Sequence, residues 1–484
     1  MFIGIDIGTS GVKTVLLSRV GAVVDSFTSP LSVSRPQDLW SEQKPEDWWQ
    51  ATINGFAYLA EKHDLKQVKA IGLTGQMHGA VLLDTSGQVL RPAILWNDGR
   101  SYLECQELEA AVPEIHSICG NLIMPGFTAP KLLWVKKHEP EIFAQIKTVL
   151  LPKDYIRFRM TGEFASDMSD AAGTMWLDVA KRDWSDAVLK ACSLSRTHMP
   201  KLYEGTEVTG TITPSFAQAN QLDCIPVVAG ASDNSAGAIG VGLTQPGQAM
   251  ISLGTSGVYF VVSDGYLSNP ESAVHSFCHS LPQTWHLMSV ILSAASCLDW
   301  VSRLTGYASV AEMLQAVEQT DFNGDGVFFL PYLSGERTPH NNPHAKGVFF
   351  GMTHETKGVD LCRAVLEGVG FAFKDGVHVL EASGIHSDDI SLIGGGARSD
   401  YWRQMLADIL GRELTYRDGG DVGPALGAAR LAQIAIEGIA SVQQICPVPT
   451  LKARHHPIAA FEQYYVKRYV RWQKLYEQLK ESFI

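Results

Sequence analysis

"IDIGTSGVK" at residues 5–13 is matched in the second half of the chain by "ISLGTSGVY" at 251–259. Each copy sets GTSGV after a short apolar run of strand character, so each reads as strand, tight turn, strand. In the first, alternation puts Ile3, Ile5 and Ile7 on one face and Gly4 and Asp6 on the other. The copies part where chemistry would tell them apart: Asp6 becomes Ser252, and Lys13 becomes Tyr259. At 484 residues the chain is too long for one hydrophobic core, and the repeat predicts two related halves.

Working outward, "KTVLLS" (13–18) completes the first hairpin and another strand is expected near Ala22–Phe27. A helix over Pro45–Glu61 carries Trp48, Trp49, Ile53 and Phe56 on its apolar side, and "VKAIGLTG" (68–75) is strand and turn. The order recurs beyond "TQPGQ" (244–248), with a hairpin in "QAMISLGTSGVYFVVS" and helices after Ser293 and over Gly358–Ala382. "ISLIGGGARS" (390–399) is strand, glycine turn and helix start, and Ile458–Leu479 reads as a packed surface helix. No low-complexity linker separates the halves. Two α/β domains, 1–245 and 246–484, are therefore expected to meet tightly around a cleft.

Composition removes several classes of function. A net charge of −12, with no long block of Lys or Arg, argues against a nucleic-acid partner. The eight cysteines are scattered without a CxxC pair, which speaks against zinc and disulfide frameworks and for a reducing cytosol. No run of 18 uncharged apolar residues exists and the start has no basic leader, so no membrane association is expected and a cytoplasmic location is. The sequence leaves a homodimer open.

The glycines of "DIGTSG" permit a turn whose backbone N–H groups approach an anion, with Thr and Ser hydroxyls as further donors. An acid at the preceding strand end suits Mg²⁺ or its waters. Two such turns, one per lobe, would grip a polyphosphate from both sides, and a single metal-binding acid would suffice. "GGGARS" offers a third glycine turn at a helix start. No GxxxxGK followed by Ser or Thr occurs, and neither glycine stretch completes GxGxxG, so P-loop and dinucleotide folds are unsupported.

These motifs resemble the FGGY carbohydrate kinases, the sugar-kinase branch of the superfamily that holds actin, the heat-shock chaperone ATPases and hexokinase. The resemblance covers essentially the whole chain: "GIDIGTSGVK" and "ISLGTSG" as phosphate loops, "LIGGGARS" as adenosine loop, "FTAPKLLWV" (127–135) and "GVFFGMTHETKGVDLCRAVLEG" (347–368) as signatures, and "SEQKPEDWW" (41–49). It implies two duplicated RNase H-like (actin-like ATPase) domains, with mixed sheets flanked by helices and an active site in the inter-domain cleft. It also implies ATP and Mg²⁺. "GQMHG" (75–79) followed by "LWNDGR" (95–100) is similar to the branch acting on the ketopentose D-xylulose. Kinases for ribulose, glycerol or gluconate would keep every phosphate motif, and an actin-like or chaperone-like ATPase would share the paired turns.

Each candidate residue has a plainer reading beside this one. Asp233, in "AGASDNSAGAIG", stands where an N-cap would, and by the resemblance it is the general base. Asp6 is the expected metal residue, or else a strand-end acid satisfied by turn amides. Gly8, Thr9, Ser10 and Lys13, with Gly254 and Thr255, are expected at phosphate, although a strand-start Lys is often simply solvated. Gly395, Gly396 and Ala397 are carried over as nucleotide contacts. His78 is a core histidine or a ligand for sugar hydroxyls, with Met77 packed on the carbon skeleton. Trp96, Asn97, Asp98 and Arg100 read as sugar-site wall, with Asp98 and Arg100 equally a surface pair. Glu336 and Arg337 are as readily an internal ion pair as a substrate contact.

Overall fold

The computed structural model describes residues 1–321, 326–418 and 423–483. β1 (Phe2–Ile7), β2 (Gly11–Leu17) and β3 (Val23–Pro30) form an antiparallel meander in which Asp6 stands opposite Lys13. α1 (Pro45–Lys62) starts with Pro45 in its first turn, carries Glu46 and Asp47 there and Lys62 at its end, the charge order that a helix dipole favours. It lies over β2 and β3, and its Trp48, Phe56 and Leu59 share one buried cluster with Val12 and Leu16 of β2 and Ile3, Ile5 and Ile7 of β1.

β4 (Ile71–Gly75) then pairs parallel to β1. After α2 (Thr128–His138) and α3 (Pro152–Thr161), the sheet is completed by β5 (Val208–Thr211), β6 (Pro226–Val228) and β7 (Ala231–Ser232). Its order is β5-β6-β4-β1-β2-β3, with β7 also parallel to β4. α4 (Asp233–Gly240) leads into the second half.

That half repeats the plan. β8 (Gln248–Leu253), β9 (Gly257–Ser263), β10 (His275–Cys278) and β11 (Trp285–Ile291) are antiparallel neighbours. They are followed by α5 (Gly358–Glu381), β12 (Asp389–Ile393), α6 (Asp400–Leu410), β13 (Leu414–Arg417), α7 (Pro424–Glu437), β14 (Leu451–His455) and α8 (Ala459–Leu479). The sheet order is β10-β11-β9-β8-β12-β13-β14. From β3 to β5, and again from β11 to β14, two antiparallel pairings are followed by two parallel ones and a closing antiparallel one. The repeated pentapeptide thus marks a repeated sheet, the mixed-sheet duplication that the resemblance implied.

The C-terminal α8 belongs to the second lobe: Trp472 Nε1 donates to Phe329 O at 2.7 Å and Arg468 pairs with Glu367 at 2.6 Å. α7 behaves differently. It lies across β1 and β4 of the first sheet, so closely that a Cβ on Gly4 would stand 1.9 Å from Ala425 O and one on Gly72 1.8 Å from Ala428 O. It also crosses α4, where a Cβ on Gly427 would stand 1.8 Å from Ala236 O. Glycines and alanines make that contact because no larger side chain fits between the backbones.

Candidate active site

The carboxyl ends of β1, β4 and β7 lie side by side, with Asp6 and Ala231 both registered against Thr74. The loops leaving those three ends carry Gly8–Ser10, Gln76–His78 and Asp233, which is where an open α/β sheet presents its ligand crevice.

Asp6 stands next to last in β1, with Oδ1 buried and without a hydrogen-bond partner among the described residues. Burial and the Asp233 carboxylate opposite push its carboxyl up to about 7, against the pull of Lys13. The turn amides therefore do not satisfy this acid, and an oxygen-only donor of this kind fits Mg²⁺ held through its water shell. Lys13 stays beside Asp6 across the ladder and exerts its charge there. Thr9 turns its hydroxyl to its own lobe: Oγ1 donates to Gln76 Oε1 at 3.1 Å and accepts from Trp96 Nε1 at 2.9 Å. Gln43 joins by donating to Thr9 O at 2.8 Å and accepting from Gln76 Nε2 and Trp48 Nε1. Ser10 is exposed and Gly8 half-buried, and the Gly8 N–H closes the turn by donating to Gly11 O at 3.0 Å.

Asp233 is not the N-cap. Ser232 takes that place, accepting from Ser235 N, and Asp233 occupies the first helical position with Oδ1 accepting from Asn234 N and Nδ2. Burial raises its carboxyl to about 6, with the Asn234 bonds opposing. What holds the turn lies beneath it. Ser232 N donates to Ser169 Oγ, and Ser169 N and Oγ both donate to Asp167. Asp167 in turn pairs with Lys153, which also meets Asp154 and Asp170, and Arg157 joins Asp154, all five side chains being fully buried. Three carboxylates face two cations. Burial, more than any neighbour, pushes the Asp170 carboxyl well above the usual carboxylate range, against the pull of Lys153.

His78 adopts a left-handed φ of 69° and its Nδ1 lies 2.6 Å from Gly173 O, so Nδ1 carries the hydrogen and Nε2 is left as an acceptor. Burial lowers its pKa to about 3, and the ring is neutral. Thr128 Oγ1 and Lys131 Nζ both donate to His78 O, and Phe127 packs edge-on against the imidazole at 4.6 Å. The signature "FTAPKLLWV" is thus the support of this histidine. Met77 lies beneath it, 4 % exposed, packed in the core and away from the cavity wall.

His78, Trp96 and Asn97 line one cavity of about 750 Å³, completed from the second lobe by His275, Leu292, Glu336 and Arg337. Asp98 and Arg100 form a buried bidentate pair, not a surface one, with Arg100 also joined to Glu42 and stacked on Trp40. Glu336 spends its Oε1 on the backbone N–H groups of Leu292 and Arg337, and no Glu336–Arg337 salt bridge forms.

In the second lobe the Thr255 side chain is exposed, and its turn is braced by Ala294 N and Ser296 Oγ on Thr255 O and by Ala295 N on Gly254 O. The third glycine turn opens at Gly394, with φ 90°, where a Cβ would meet the Leu253 backbone at 2.9 Å. Gly395 has open space around it, and Gly396 rests on Trp402 and Leu253. Ala397 departs from expectation: it is fully buried in the second core and offers a nucleotide no surface, its carbonyl being held by Arg403 at 2.6 Å.

Gln43, Gln76, Thr128, Lys131 and Gly173 were missed in the sequence. Gln76 had a signal in "GQMHG", Thr128 and Lys131 in "FTAPKLLWV" and Gln43 in "SEQKPEDWW", whereas Gly173 reaches the site across a long separation.

Family models for the FGGY family of carbohydrate kinases match residues 1–240 with the N-terminal domain and 249–436 with the C-terminal domain. A xylulose kinase from Escherichia coli (strain K12) is 63% identical over 99% of both chains. Among solved structures, a "xyloylose kinase" from Brucella ovis superposes with a TM-score of 0.95 at 45% identity over 99% of each chain. A gluconate kinase from Lactobacillus acidophilus superposes with a TM-score of 0.93 at 25% identity, over 99% of this chain and 98% of the other.

Proposed function

Because the chain belongs to the FGGY family of carbohydrate kinases, we propose that it transfers the γ-phosphoryl group of ATP to the terminal hydroxyl of D-xylulose, giving D-xylulose 5-phosphate and ADP. The observation that carries the reading is a cavity walled by both lobes, with His78 Nε2 as a fixed acceptor, where His78 leaves the same set of strand ends as the Asp6 and Asp233 carboxylates.

Asp233 is the general base. Its carboxylate takes the proton of the sugar hydroxyl as the oxygen attacks phosphorus in line and the bond to the β-phosphate oxygen breaks. A raised proton affinity suits a base that must accept a proton from an alcohol near neutrality. The burial that raises it is kept in place by Ser232, Ser169 and the Lys153 group. Asp6 would hold Mg²⁺, and the ion, when bound, would offset the charge on the phosphates. Lys13, opposite Asp6, limits the repulsion between the two acids.

The turns at Thr9–Ser10 and Gly254–Thr255 take the phosphates on their backbone N–H groups, and the open turn at Gly395–Gly396 admits the nucleoside. Thr9 keeps the first turn and Trp96 in register with each other, so the phosphate loop and the sugar wall are one hydrogen-bonded unit. Ordered walls from both lobes exclude water, and that favours transfer over hydrolysis of ATP.

The test is ADP release from MgATP with D-xylulose, D-ribulose, glycerol and D-gluconate, beside a no-sugar blank. A strong signal with D-xylulose over a low blank is expected, with Asp233→Ala losing it while still binding ATP. Release that ignores every sugar would replace the kinase reading with an ATPase. Preference for D-gluconate would keep the reaction and change the substrate.

A further inference from the structure

Two groups on the second lobe have no part in the mechanism above. Glu336 is 2 % exposed and lines the cavity, with Oε1 bound to two backbone N–H groups and Oε2 buried without a partner. Arg337 lines the same cavity, and among the described residues its guanidinium hydrogen-bonds through Nη1 to His275 Nε2 at 3.4 Å. His275 is fixed from behind: Asn121 Oδ1 accepts from Ser276 N and from His275 Nδ1 at 2.9 Å, so Nε2 presents a lone pair to the guanidinium. The His275 ring lies 6.1 Å from Phe127, which is 4.6 Å from His78. His78 and Arg337 thus line one cavity, an acceptor from the first lobe and a set of donors from the second.

We propose that Arg337 and Glu336 are a sugar-recognition element supplied by the second lobe, Arg337 binding oxygens of the sugar held on His78 and Glu336 fastening that contact to the second phosphate turn. The inference rests on the sugar-kinase reading. A guanidinium has donors only and suits hydroxyl and carbonyl oxygens, while the lone Glu336 oxygen suits a sugar hydroxyl. The fastening is direct: Glu336 Oε1 holds Leu292 N, and the turn from Leu292 to Ala295 donates to Thr255 O and Gly254 O, each at 2.9 Å. Occupancy of the sugar cavity and the shape of the phosphate turn therefore share one strut.

The full chain is tested for D-xylulose binding without nucleotide, read by tryptophan fluorescence since Trp96 walls the cavity, and for initial rates with MgATP. Arg337→Met is expected to weaken binding and raise KM for the sugar about ten-fold or more, with KM for ATP within about two-fold, and Arg337→Lys to recover part. Glu336→Ala is expected to lower kcat and raise KM for ATP, and Glu336→Gln, which keeps the Oε1 acceptor, to restore most of both. Arg337→Met with unchanged sugar binding, or Glu336→Ala that moves the melting temperature alone, overturns the inference while the kinase reading stands. A wild-type chain that neither binds nor phosphorylates any sugar removes both.

Discussion

Asp233 owes its raised proton affinity to burial, since its bonds to Asn234 act in the opposite direction. A base works only when ionised, so kcat/KM for the sugar should rise with pH through the Asp233 midpoint and fall on the acid side. That midpoint is about 6 without metal, and a cation beside the carboxylate draws it down, so the acid limb belongs at or below about pH 6. His78, with its pKa near 3, contributes no limb in this range, whereas Asp6, raised to about 7, does so until Mg²⁺ binds, so the profile is taken at saturating Mg²⁺. A pH–rate profile that stays flat to about pH 4.5, or that rises toward acid, would remove Asp233 from the role of base. At this scale the sequence was informative where a residue sits in its own motif and silent where partners come from afar. His78 and Asn97 reach the cavity as read from "GQMHG" and "LWNDGR". The group of Lys153, Asp154, Arg157, Asp167 and Asp170 looks like a solvated polar run in sequence, because each charge is buried by the others and no periodicity betrays that.

Among elements, the hairpins and α1 were legible because their apolar alternation and capping are local. The placement of α7 was not. "PALGAARLAQ" has the composition of any small-residue helix, and its seat on β1 and β4 depends on glycines about 350 to 420 positions earlier in the chain. The consequence can be measured as a contrast of sign. Glycine to alanine inside a helix ordinarily stabilises by about 1 kcal/mol. Gly237→Ala in α4, with open space at its Cβ, should follow that rule and raise the denaturation midpoint. Gly427→Ala in α7 meets Ala236 O at 1.8 Å, and overpacking of about 1–3 kcal/mol should outweigh propensity and lower it. Urea unfolding of the two variants with unchanged m-values checks both. Equal shifts would mean that α7 moves off α4 freely.

For the whole molecule, the repeated sheet was visible in the repeated turn, but the sequence boundary at 245 hides how the halves share a core. Phe2, Leu17, Ala70, Val228, Ala231, Ala236 and Ile239 from the first half pack with Leu426, Ala429, Leu431, Ala432 and Ile434 of α7 and with Val442, Ile445 and Cys446 beyond it. Arg430 adds a polar tie, its Nη1 donating to Ile239 O and Gly240 O at the end of α4, where a helix leaves carbonyls unpaired. A first lobe cut at 245 loses that cover, leaving the apolar face of α4 and one face of β1 and β4 in water, a patch of the kind that drives association. Residues 1–245 expressed alone should therefore aggregate or unfold at far lower urea than the full chain, and the intact protein should lose both lobes in one transition followed by tryptophan fluorescence and far-UV circular dichroism. A soluble, cooperatively folding 1–245 fragment would show that α7 rests on the first lobe without completing it. In that case the two lobes would be independent folding units, and the coupling between the sugar cavity and the phosphate turns would have to run through the cavity walls alone.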